Sequence, residues 1–217
     1  MPPACAQDPD TPRELPLEVR VDPLLLLKLL HRGKAQRARP HLRALAAEVA
    51  ELATSLIRPR SWLWTGPVEV RGPEPGGVRF GTDLYFHSQA LARMMQGARE
   101  GALFVLTLGG DLEALIGRRF REGHPVEALL LDTASWAALE IGLRQVRAVL
   151  RQEAAVRGCR LSARMAPGFL DWEVRENRTL LRAFACCSIP VRATPTGVLL
   201  PRKSITGAFG FLPRASD

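Results

Sequence analysis

Two short segments hold the residue types that could do chemistry. Arg164-Met165-Ala166-Pro167-Gly168-Phe169 sets a fixed cation beside a turn and an aromatic face, and Pro201-Arg202-Lys203-Ser204-Ile205-Thr206-Gly207-Ala208-Phe209 adds hydroxyls, a glycine and a second aromatic. Proline holds φ near the value a turn needs. Gly168 has no Cβ, so a ligand can approach the backbone closely. The guanidinium of Arg164 is a planar fork that matches a carboxylate. Together these residues describe a pocket for a small ligand resembling an amino acid.

Other chemistries are less well supplied. Ser204 and Thr206 have no histidine near them in sequence, so the residues of an activated nucleophile are not evident. The histidines, His31, His41, His87 and His124, have no spacing that sets two on one helix face with a carboxylate between them. Leu108-Gly109-Gly110-Asp111 lies where glycine-rich loops bind phosphates, but it lacks both the Gly-x-Gly-x-x-Gly and the Gly-Lys-Ser/Thr patterns and reads as a turn. A Rossmann-type methyltransferase is therefore not indicated. The adjacent Cys186 and Cys187 show no Cys-x-x-Cys spacing and read as structural thiols. Glu140 follows Trp136, Ala137, Ala138 and Leu139. It is either buried against a cation, since an unpaired buried acid is costly, or an ordinary surface glutamate.

The elements that must position these residues are legible in outline. Asp22-Pro23 starts a helix that Gly33 closes. A second helix follows Pro40, with Leu42, Leu45, Val49, Leu52 and Leu56 as one apolar stripe up to Pro59. Trp62, Trp64, Val68 and Val70, a turn over Gly72–Gly77, then Val78 and Phe80 predict a hairpin. A helix over His87–Ala98, a buried strand over Ala102–Leu108 and a helix begun by Asp111 come next. Val126–Val156 reads as helix, with Asp132-Thr133-Ala134-Ser135 as a local cap or kink. Leu161–Arg164 is a strand, Asp171 caps a helix reaching Cys186, and Val191–Thr194, Val198–Leu200 and Gly207–Leu212 close the sheet. This order predicts an α+β fold with a mostly antiparallel sheet and helices packed around it.

The chain has 217 residues, 47% of them hydrophobic and 24% charged, the balance of an ordinary globular protein. Residues 1–16, with five prolines, read as a flexible tail, and 17–217 as a single domain. The tail lacks the charged start and apolar run of a signal peptide, and four cysteines give no disulfide framework, which suits a cytoplasmic protein. The formal charge is +8, yet the basic cluster His31–Arg43 has no interleaved aromatics for base stacking. A docking patch for an acidic protein suits the charge better than nucleic acid.

Arg-x-Ala-Pro-Gly-aromatic, then Asp171-Trp172 and a helix, then Pro-Arg-Lys-Ser-Ile-Thr-Gly, resembles the activation domain of cobalamin-dependent methionine synthase, and in particular its short, free-standing relatives. The likeness is strong over residues 160–212, softer over 20–150 and absent from the first sixteen. It implies an S-adenosyl-L-methionine (AdoMet) site that serves the reductive methylation of cobalamin held by a partner, as a component of a methyltransferase of methionine biosynthesis. A flavodoxin-like protein would supply the electron. By position, Arg164 would clamp the methionyl carboxylate, Ala166 and Gly168 would offer backbone groups, and Phe169 and Phe209 would offer aromatic faces where the family commonly has tyrosine. Glu140 matches a glutamate in a small-residue-rich helix of the relatives. The family's Thr-Glu-Ser reads Thr194-Pro195-Thr196, so an acid is missing. No Asp-x-His-x-x-Gly run is present to ligate cobalt, so a partner must hold the cobalamin. The alternatives are a corrinoid-protein binding module that has lost AdoMet and a basic nucleic-acid binder.

Overall fold

A computed structural model of the chain describes residues 11–30, 39–71 and 76–214. The predicted Gly33 helix end, most of the His31–Arg43 cluster and part of the Gly72–Gly77 turn lie outside these residues. In order, the elements are β1 (Arg13–Pro16), α1 (Pro23–Leu30), α2 (Pro40–Leu56), β2 (Arg60–Arg71), β3 (Gly77–Phe80), β4 (Leu84–His87), α3 (Gln89–Met94), β5 (Glu100–Thr107), α4 (Asp111–Arg121), α5 (Pro125–Val156), β6 (Cys159–Leu161), α6 (Asn177–Leu181), β7 (Arg192–Ala193), β8 (Leu199–Leu200) and β9 (Ser204–Pro213).

One sheet runs β4-β3-β2-β5-β9-β6, and β1 joins the first half of β2 on the edge that β3 takes further along. All the paired strands are antiparallel, as the sequence predicted. β1 corrects part of one expectation. Arg13–Pro16, assigned to a flexible tail, pairs with Arg60–Leu63, and Arg13 forms an ion pair with Glu153 of α5. Residues 1–10 of that tail lie outside the described residues.

The sheet is buried on both faces. Along β5, Ala102, Phe104 and Leu106 face a core shared with α1, α2, α4 and α5, while Leu103 and Val105 face a second core with α3, Trp172, Leu180 and Phe184. Such two-sided burial explains why β5 is a continuous apolar run. β2 does the same: Leu63 faces the first core, Trp62 and Trp64 the second.

Three helices differ from expectation. On α2 the innermost residues are Ala46, Val49, Ala50 and Ala53, while Leu52 is exposed, because small side chains let the helix lie close to its neighbours. α5 runs unbroken through Asp132–Ser135, where Ser135 Oγ donates to the Asp132 carbonyl at 2.6 Å within the helix. The helix expected over 171–186 is reduced to α6 flanked by single 3-10 turns.

α5 lies against β5 at Gly142, where a Cβ would sit 2.8 Å from Leu106 Cδ1. A branched side chain there must displace Leu106 or the helix itself. Gly142→Val should cost about 1–3 kcal/mol of stability through overpacking, read from urea unfolding midpoints.

Candidate ligand-binding site

Arg164 owes its position to an irregularity at the sheet edge. Leu161 pairs with Phe211 and Met165 with Ala208, so three residues of the edge segment stand opposite two of β9. The Ser162 amide donates to the Gly210 carbonyl at 2.9 Å, and the Gly210 amide donates to Ser162 Oγ at 2.9 Å, where a carbonyl would serve in a regular ladder. This is a β-bulge, a device that re-aims a side chain. Met165 turns into the second core, and Arg164 comes within electrostatic reach of Glu140 and Arg147 on α5.

Arg164 is half-buried and poorly partnered. Its Nη1 donates one long hydrogen bond, 3.5 Å, to the Thr206 carbonyl. Its Cζ lies 5.5 Å from the centre of the Phe169 ring, a cation–π distance. Burial pushes the guanidinium below its ordinary pKa, Glu140 opposes the shift, and Arg147 adds to it. Glu140 itself is exposed and pairs with Arg144 one turn along at 3.3 Å, so of its two readings the surface one holds.

The turn after Met165 is tightly wired. Gly168 has φ +95°, a conformation that favours glycine, and its amide donates to the Trp172 carbonyl at 2.6 Å. That amide is therefore committed within the turn. The Ala166 amide has no acceptor among the described residues. Leu170 holds φ +54° and Phe169 and Leu170 point outward, 54% and 84% exposed.

Asp171 does not cap the helix that follows it. Its carboxylate reaches 83 residues back and accepts from Ser88 Oγ at 2.6 Å, as well as from the Gln89 amide at 2.7 Å and the Ala90 amide, at the start of α3. Trp172 beside it is fully buried, edge-on to Phe86 at 5.2 Å.

The second segment serves mainly as scaffold. Lys203 Nζ binds Asp132 at 2.6 Å and lies 5.3 Å from the centre of the Trp136 ring. Ser204 Oγ donates to Thr107 Oγ1 at 2.8 Å, and Thr206 Oγ1 donates to Asn177 Oδ1 at 2.5 Å. Both hydroxyls are buried and used. Phe209 stands opposite the bulge, but it is 0% exposed and packs on Phe104 at 5.8 Å, so it offers no accessible face. A strand residue aimed at the larger core is filled in by that core. Among the described residues no group of three or more His, Cys, Asp and Glu side chains could hold a metal ion.

No protein-family model and no curated protein matches the chain. A solved structure described as the MetH reactivation domain bound to AdoHcy does, with a TM-score of 0.67 and 13% identity over 95% of this chain and 80% of that one. The fold is that of the MetH reactivation domain. The likeness read from the Arg164–Phe169 motif thus extends to the path of nearly the whole chain. Within this reactivation-domain fold the structure brings together Arg164, Ala166, Gly168 and Phe169, with Glu140 beside them. It adds Arg147, whose one sequence signal is its place seven residues beyond Glu140, on the same face of α5.

Burial pushes the Asp171 carboxyl up, but the bonds from Ser88, Ala90 and Gln89 outweigh it and hold the group below its ordinary value. The carboxylate therefore stabilises the fold above its unfolded-state pKa of about 3.9, and that contribution fades as pH falls through the folded value. Asp171→Ala should cost about 1 kcal/mol near neutral pH, and the difference should shrink as pH falls below the ordinary carboxylate range, measured by paired denaturation curves.

Proposed function

We propose that this chain binds AdoMet at the bulge and turn of residues 164–169 and supports reductive methylation of a cobalamin held by a partner protein. The observation that carries this reading is the half-buried Arg164, aimed by a β-bulge beside an aromatic ring and a free backbone amide, on a fold shared with an AdoHcy-bound reactivation domain. A carboxylate can take the bidentate fork of Arg164 better than the single carbonyl now at 3.5 Å. The Ala166 amide is a donor for a second polar group of the ligand. Phe169 gives an open aromatic face. AdoMet supplies the methyl group. The chain binds and orients it at a surface where a cobalamin carrier can dock, and the electron comes from a flavodoxin-like donor.

The rim of the site fits such docking. Phe169, Leu170, Val174 and Val198 are all exposed apolar residues near the turn, and Leu170 is held there in a left-handed conformation unfavourable to a branched side chain. The same rim favours the second reading, a corrinoid-protein binding module without AdoMet.

Calorimetry separates the two. On the first reading AdoMet and AdoHcy bind, and Arg164→Met weakens both at least about tenfold, the value of a charge-assisted hydrogen bond. Mixed with a cobalamin-dependent methionine synthase lacking its own reactivation domain, AdoMet and reduced flavodoxin, the chain should then convert cob(II)alamin absorbance to that of methylcobalamin. Capture of the cobalamin protein with no AdoMet binding would establish the binding module instead.

A further inference from the structure

Arg147 is half-buried on α5. Its Nε is buried without a hydrogen-bond partner, and no hydrogen bond, ion pair or ring contact engages its guanidinium among the described residues. Buried polar groups are nearly always satisfied, and an orphaned one is costly for a fold to keep. Arg164, within electrostatic reach, is in a similar position, with one long bond to a carbonyl. The acid that faces Arg164, Glu140, is exposed and shared with Arg144.

Glu140, Arg144 and Arg147 recur at four and three residues along α5 and so lie on one face, the face over which Arg164 is turned. Arg144 and Arg164 thus share one carboxylate, Glu140, while Arg147 has none among the described residues. Two cations held near each other at partial burial repel, and an anion between them relieves both the repulsion and the missing hydrogen bonds. Two forks within electrostatic reach of each other, one on a helix and one on a strand edge, suit the two oxygens of a carboxylate.

We propose that Arg147 joins Arg164 in a two-guanidinium clamp for the carboxylate of the ligand. The proposal rests on the AdoMet reading and assigns one of its contacts to a residue on a different element. It also sets the order of preference among ligands: a nucleoside thioether that lacks the carboxylate gains nothing from Arg147.

The test uses the full chain and two probes, AdoHcy and methylthioadenosine, which keeps the nucleoside and thioether but has no carboxylate. Arg147→Met, which retains the apolar stem, should weaken AdoHcy about tenfold or more and leave methylthioadenosine within about twofold. Arg147→Lys, a point charge without the fork, should fall between. Thermal melting of each variant without ligand should match or exceed that of the unaltered protein, because Arg147 has no partner to lose among the described residues. Equal loss of both probes, or a lowered melting temperature that accounts for the loss, would assign Arg147 to structure and overturn the clamp. AdoHcy binding that Arg164→Met abolishes and Arg147→Met leaves unchanged would overturn the clamp and keep the AdoMet reading. No AdoHcy binding by the unaltered protein would overturn both.

Discussion

Eight consecutive residue pairs, from Glu100 opposite Phe211 to Thr107 opposite Ser204, tie β5 to β9 between two apolar layers. A shift of one residue in this ladder would exchange Phe104 and Phe209 with Leu103 and Ala208, and neither core could take the exchange. Because β9 carries the Met165 bridge on its far edge, the register that packs the cores also places the bulge. Lys203, at the head of β9, holds α5 to the same strand through Asp132. The position of Arg164 over α5 follows from these two attachments.

What was legible in the sequence was local. Asp22-Pro23 did start a helix, with the Asp22 side chain accepting from Leu24 at 2.9 Å, and the apolar run before Gly109 was the central strand. The α+β class followed from the order of these pieces, and the Arg164–Phe169 motif led to the right fold. What was not legible depended on partners distant in the chain. Asp171 looked like a cap for its own helix because sequence spacing cannot distinguish it from a cap for α3. Phe209 looked like a ligand face because a strand residue's side is set by register, and register is set by the opposite strand. Arg147 left only its place on the face of Glu140, because a missing partner is visible only when the neighbours are in place.

Charge shapes how the site can recognise anything. At a formal +8 the chain repels a ligand whose sulfonium and ammonium outweigh its carboxylate, although salt limits that field to about 10 Å. Selectivity on the proposed reading must therefore arise at contact, where guanidinium meets carboxylate, and at the apolar rim, which salt does not weaken. On that reading the two act on different partners: the arginines on the small molecule, the exposed Leu170, Val174 and Val198 on a protein surface.

The carboxylate of Asp171 joins two places that share no strand. One end of it belongs to the turn that carries Phe169; the other closes the amides at the start of α3, below β4. Whatever holds that turn still also holds the first turn of α3, and thermodynamic reciprocity makes the converse true. On the proposed reading, occupancy of the edge of the sheet thus reaches the start of α3 through one carboxylate.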